Sequence, residues 1–199
     1  MHAGLLTTKR FGPLFFTQFL GAFNDNLFKN ALVILVTFRA VSVAGLPPEQ
    51  MVALSGALFI LPFFLFSATA GQLADKYDKA TLIRWTKNAE IAVMIAGAAA
   101  FVAGNVPVLL GVLFMMGLQS TFFGPLKYSI LPQHLPEEEL VTANALVEMG
   151  TYLAILGGTI AGGVLIARDG GELVVAAGVL SLAVLGRLTA QGVPAAPPA

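Results

Sequence analysis

Apolar residues run through this chain in long unbroken stretches, not in the short amphipathic stripes of a water-soluble fold. A membrane-spanning helix needs about 20 mostly apolar residues. Six segments meet that requirement, at about 12–38, 51–73, 81–102, 108–128, 140–167 and 172–188. Pro, Gly and charge punctuate them. Gly45-Leu46-Pro47-Pro48-Glu49 ends the first run, and Asp75-Lys76-Tyr77-Asp78-Lys79 reads as a tight charged turn after the second. Gly104-Asn105-Val106-Pro107 and Arg168-Asp169-Gly170-Gly171 are further turns, and Pro132 to Glu139 is the longest polar stretch. Glu137-Glu138-Glu139 suits the first turn of a helix, beside the positive end of its dipole. The pattern predicts an all-α membrane protein, a six-transmembrane-helix bundle over residues 1–190. Residues 191–199, rich in Pro and Gly, open a linker.

Small residues recur four apart in the fifth segment, at Gly157, Gly158, Ala161, Gly162 and Gly163. Such spacing lets neighbouring helix backbones approach closely. Lys9 and Arg10 precede the first apolar run, but that run is too long for a signal-peptide core and has no small-x-small cleavage site, so it reads as a first spanning helix.

Composition agrees. The 199 residues are 57% hydrophobic and 11% charged, with a mean hydropathy of +0.83, whereas soluble domains carry about 25% charged residues. The formal net charge is zero, which argues against nucleic acid as a partner. There is no Cys, and His2 and His134 have no ligand-like neighbours, so no metal or cofactor is expected. No Walker loop, nucleophile elbow or His-Glu-x-x-His occurs, and an enzyme is not indicated.

Charge also orients the bundle. The loops on the N-terminal side hold Lys9, Arg10, Lys76, Lys79, Arg84, Lys87, Lys127 and Arg187, and the opposite loops hold Arg39 and Arg168. The positive-inside bias places the N-terminus in the cytoplasm, and an even number of spans returns the C-terminus there.

Polar groups inside the spans are the candidate chemistry, because each costs about 2.5–3.5 kcal/mol on insertion scales. The first span carries Gln18, Asn24, Asp25, Asn26, Lys29 and Asn30. Gln18, Asp25 and Lys29 fall on one stripe at helical spacing. Asp25 and Lys29 are spaced to pair, either as a structural bridge or as part of a polar stripe facing a cavity. Asp25 stands near mid-membrane. Asn144, Glu148, Thr151 and Tyr152 share a face of the fifth span. Glu90, a few residues beyond Lys87, reads as structural and near the cytoplasmic surface. Pro125 should interrupt the fourth helix, which is tolerated where the freed groups line a cavity. Lys127 beside it can hold a phosphate or snorkel to headgroups.

Gly71-Gln72-Leu73-Ala74-Asp75-Lys76-Tyr77-Asp78-Lys79 resembles the signature loop of the major facilitator superfamily, Gly-x-Leu-Ala-Asp-(basic)-x-Gly-(basic), with Asp78 where the family usually has Gly. In that resemblance Gly71 admits close helix approach, and Asp75, Lys76 and Lys79 hold a cytoplasmic gate through caps and ion pairs. Three further stretches are similar to the bacterial lysophospholipid transporter family: Gln18 to Asn26, Phe123 to Leu131, and Val141 to Glu148. Gly157 to Gly163 fits the same family. The resemblance implies the N-terminal half of the major facilitator fold, in a protein of twelve spans whose C-terminal six-helix half is missing here. It implies facilitative transport of a lysophosphatidylethanolamine-like lipid inward across the bacterial inner membrane for re-acylation. Some members are fused to acyltransferase and acyl-carrier-protein synthetase domains. Asp25 and Lys127 are the implied headgroup ligands, with Gln18, Lys29, Asn144 and Glu148 as further candidates; membrane lipids are the surroundings. An antiporter for a drug or small metabolite, and a non-transporting anchor for an acyltransferase, are the alternatives.

Overall fold

The structure, a computed structural model, describes residues 3–38 and 45–198. His2 and Arg39, used above, lie outside the described residues. A short 3-10 turn at Ala3–Thr7 leads into α1 (Gly12–Phe38). The chain continues through α2 (Pro48–Lys76), α3 (Lys79–Ala103), α4 (Val106–Ser129), the one-turn α5 (Leu131–His134), α6 (Glu137–Ile166) and α7 (Gly171–Gln191). Six of these helices are long and apolar enough to cross a membrane.

Local chemistry sets the boundaries. Pro48 opens α2 at a position where a missing N–H costs nothing. Gly104, with φ 63°, ends α3 in the left-handed region that favours glycine. The Asn105 side chain then caps α4 by accepting the Val108 N–H at 3.1 Å. The three glutamates fall in the first turn of α6 as expected, and Glu139 also receives Arg10 at 2.8 Å.

Four expectations change. The charged turn after α2 is shorter than it reads, because α2 runs through Asp75 and Lys76 and leaves only Tyr77 and Asp78 between helices. Asp78 needs no left-handed geometry: its φ is −57° and its carboxylate caps α3 by accepting the Thr81 N–H at 2.7 Å. A side-chain cap thus replaces the family's glycine. α4 continues through Pro125 to Ser129 and is not broken there. The Pro-rich tail folds back onto the bundle, with Val193 and Ala196 buried. The Ala196 N–H donates to Asp78 Oδ2 at 2.7 Å, its carbonyl accepts from the Lys79 N–H at 2.9 Å, and Arg84 donates to the Val193 carbonyl at 2.8 Å.

α1 is the hub, packed most extensively on α6 and then α7; α2 packs on α4, and α3 on α7 and α4. This pattern maps onto itself if α1, α2 and α3 are exchanged with α4, α6 and α7, the signature of a three-helix repeat. The close approach of α1 and α6 rests on glycine. A Cβ at Gly158 or Gly162 would collide with the backbone carbonyls of Phe23 and Leu27. Gly71 behaves otherwise: a Cβ there meets open space, so close helix approach is not its role in this conformation.

The outer surface is apolar. Phe64, Trp85, Val141 and Leu173 are among its most exposed side chains, a surface that suits lipid as its solvent.

Candidate functional site

Two apolar clusters form the core. One gathers Phe11, Leu14, Phe15, Ala80, Ile83, Leu126, Ala143 and Val147 near the N-terminal end. The other holds residues from Leu27 onward on α1, Met94 onward on α3 and Val106 to Met116 on α4. Between them, at the same level on four helices, lies a polar layer: Gln18 to Asn26, Lys87 and Glu90, Gln119 to Thr121, and Thr151. Part of it, together with Phe59 and Phe63 of α2 and Phe123 and Tyr128 of α4, lines a half-open cavity of about 360 Å³.

Asp25 sits at the middle of α1, nine-tenths buried, and lines this cavity. Its Oδ2 accepts from the Ser120 hydroxyl at 2.6 Å, and Ser120 in turn accepts from Gln119 Nε2 at 3.0 Å. Asp25 Oδ1 and Gln119 Oε1 are buried without a hydrogen-bond partner. Lys127 reaches the same space from α4, its Nζ 3.5 Å from Thr151 Oγ1. Thr151 donates to Gln18 Oε1 at 2.9 Å, which fixes Gln18 across the α1–α6 contact. Asp25, Lys127 and Gln18 are therefore brought together.

The other candidates stand apart. Asp25 and Lys29 form no ion pair; the Lys29 ammonium lies 5.2 Å from the centroid of the Phe59 ring. Helical spacing allowed that pairing, but Ser120 on a neighbouring helix reaches the carboxylate instead. Asn144 is exposed and donates to the Leu140 carbonyl of its own helix at 2.8 Å. Glu148 accepts from the Tyr128 hydroxyl, and it is Tyr128, not Glu148, that lines the cavity. Tyr152 points outward. At the predicted gate, Asp75 and Lys76 are exposed. No ion pair joins Asp75 to a basic side chain among the described residues, and the capping role falls to Asp78. Lys79 is buried beneath the tail.

Lys87 and Glu90 depart furthest from expectation. Lys87 counted as a loop charge and Glu90 as a group near the surface, yet they are 2% and 1% exposed and pair at 2.6 Å inside the bundle. Glu90 also accepts from Asn24 Nδ2 at 3.2 Å, tying α3 to α1. Removing one partner of such a buried pair costs about 3–5 kcal/mol, because the other is left charged and alone. The polar triplet Gln119-Ser120-Thr121 within an apolar run was the readable signal for the α4 contribution.

Asp78 is the titratable group of note outside the spans. Burial acts to raise its pKa, but hydrogen bonds from Thr81 and Ala196 and the nearby Arg84 charge outweigh it and hold the carboxyl below the usual range. No group of three or more His, Cys, Asp or Glu side chains converges on a metal position among the described residues.

Six apolar helices, five of which line a half-open cavity that holds buried charged side chains, are the architecture of a multi-pass membrane transporter. The family model described as transmembrane secretion effector, a major facilitator model, matches residues 30–196. The chain belongs to this family of the major facilitator superfamily. It is 34% identical over 148 residues to the lysophospholipid transporter LplT of Salmonella arizonae, covering 74% of this chain and 34% of that protein. It is 32% identical over 160 residues to the same-named transporter of Escherichia coli, covering 80% of this chain and 37% of the relative. The chain thus spans about a third of the length of the curated relatives it matches.

Proposed function

We propose that this chain forms the N-terminal six-helix half of a facilitative lysophospholipid transporter of the bacterial inner membrane, with both termini cytoplasmic. The observation that carries the reading is the cavity itself, which presents a carboxylate and an ammonium from different helices beside aromatic rings. Asp25 takes the amine of a lysophosphatidylethanolamine-like headgroup, Lys127 takes its phosphate as a point charge, and Gln18 and Thr151 offer neutral hydrogen bonds. Phe59, Phe63 and Phe123 also line the cavity and suit the start of the acyl chain. The names of the relatives support the same substrate.

A second six-helix half supplies the opposing wall, and α2 is the face left for it, since it is the least buried of the long helices. Asp75 and Lys76, exposed at the end of α2, meet that half as gate contacts in this reading. An acyltransferase or acyl-carrier-protein synthetase, fused or separate, consumes the lipid delivered. The test is uptake of labelled lysophosphatidylethanolamine by spheroplasts of a strain lacking its own transporter, with the whole protein expressed. Asp25→Ala and Lys127→Ala should each reduce uptake to background; normal uptake by well-expressed variants refutes the assignment.

A second reading, an antiporter exporting a drug or small metabolite, draws on the secretion named in the family description. Collapse of the proton gradient separates the two, since a facilitative lipid carrier is insensitive to it.

A further inference from the structure

Lys87 reaches the same cavity from α3. An ammonium carries three donors and no acceptor, yet Lys87 Nζ has one hydrogen-bond acceptor among the described residues, Glu90 Oε2 at 2.6 Å. The face of Phe123, 5.2 Å away, takes part of the remaining charge. Buried donors without acceptors are costly, and the vacant ones here border a cavity. The space for the ammonium is held open by glycine. A Cβ on Gly21 would lie 2.5 Å from Nζ and one on Gly186 3.6 Å from it. A buried pair kept only for stability would gain from replacement by apolar side chains of similar volume.

We propose that Lys87 is a second anion contact in the cavity, held by Glu90 when the cavity is empty and donating its remaining N–H groups to the phosphate of a bound lipid. The inference rests on the lysophospholipid reading and deepens it: the phosphate is gripped from α3 as well as α4. A phosphodiester has two non-bridging oxygens, one for each lysine. Glu90 keeps Lys87 from being an unpaired charge in the empty site, and its second oxygen stays on Asn24 when the lysine turns. Asp25, with Oδ1 unpartnered, is left for the cationic end.

The test uses the protein in nanodiscs of phosphatidylcholine and compares equilibrium binding of radiolabelled dodecyl phosphate and dodecyl maltoside, with empty nanodiscs subtracted. The wild type should prefer the phosphate. In K87M/E90Q, which removes both charges at nearly constant volume, affinity for the phosphate should fall about tenfold, equivalent to about 1.4 kcal/mol. Affinity for the maltoside and the thermal melt should stay unchanged. Should that variant lose its cooperative melt, Gly21→Ala displaces the ammonium without changing any charge, and the same selective loss is expected. A phosphate preference that survives displacement of Lys87 overturns this inference alone, as does an equal loss for both ligands. A wild type with no phosphate preference removes the anion site altogether, and the transport reading with it.

Discussion

The contact between α1 and α6 makes the sharpest stability prediction. A Cβ at Gly158 would lie 3.1 Å from the Leu27 nitrogen and 3.2 Å from Asn26 Cβ, besides its collision with the Phe23 carbonyl. At Gly162 it would lie 3.1 Å from the Ala31 nitrogen, besides the Leu27 carbonyl. Most of these neighbours are backbone within a helix, so neither site can be relieved by a rotamer change and the helices must separate. Overpacking of this kind costs about 1–3 kcal/mol per site. Gly111 and Gly56 are the controls, because a Cβ at either meets open space. Alanine there should instead gain about 0.5–1 kcal/mol of helix propensity.

The assay is the thermal melt of purified variants followed by fluorescence-detected gel filtration in one detergent. A domain of this size shifts by about 2–4 °C per kcal/mol, so Gly158→Ala and Gly162→Ala should melt about 2–12 °C lower. Gly111→Ala and Gly56→Ala should melt at or slightly above the wild type. Separation of α1 from α6 also strains the Gln18–Thr151 bond, which crosses the same contact, so uptake should fall in the first pair only. A Gly158→Ala variant as stable as Gly111→Ala would show that the helices are not in backbone contact, and the reasoning would fail.

The remaining predictions are smaller. Asp78→Ala removes the α3 cap and the tail's anchor and should cost about 1 kcal/mol or somewhat more at pH 7, read as a lower melt and faster proteolysis after Gln191. Because the folded pKa of Asp78 is depressed, its stabilisation is fully present above the unfolded value of about 3.9 and is lost as pH falls through the folded value. The difference between wild type and Asp78→Ala should therefore shrink in acid; a constant gap would contradict the cap. Arg10→Ala breaks a half-exposed pair with Glu139 and should change stability by no more than about 1 kcal/mol. Asp25→Asn preserves volume and an acceptor for Ser120, so the melt should hold or rise while lipid uptake is lost; a large drop in melting temperature would make Asp25 structural.

Much of the bundle was legible because bilayer-length apolar runs leave few alternatives. Asp25 was legible for the same reason, being a carboxylate at the centre of a span. Lys87 was not. It follows Arg84 within one helical turn and so counted with the surface charges, and only the partner three residues on, together with Gly21 and Phe123 from other helices, shows that it points inward. Asp78 looked like a defect in a known loop, since the cap depends on the helix that starts after it. The tail looked like linker because Pro and Gly exclude helix; its anchoring depends on Asp78 and Arg84, more than a hundred residues earlier in sequence. Local pattern reports what a residue costs in a membrane, whereas its partner is set by helix packing.

The polar layer shows why the site could be built at all. Apolar clusters above and below it carry the packing, so α1, α3, α4 and α6 are fixed at both ends and can present polar side chains between them without losing register. Within the layer most polar groups are satisfied across helices: Gln18 with Thr151, Asn24 with Glu90, Asp25 with Ser120. The exceptions are acceptors, namely Asn24 Oδ1, Asp25 Oδ1 and Gln119 Oε1, together with the spare donors of Lys87. Buried polar groups in native proteins are nearly always paired, and each orphan could be removed by one apolar substitution. Other buried polar atoms without a partner occur toward the helix ends, at Ser129, His134, Glu139 and Arg187, but those of the layer lie mid-bundle, and Asp25, Gln119 and Lys87 line the cavity, which selection for a stable bundle alone would not favour. On the proposed function, the vacant acceptors and vacant donors around this one space are completed by a guest that carries both, as a zwitterionic headgroup does.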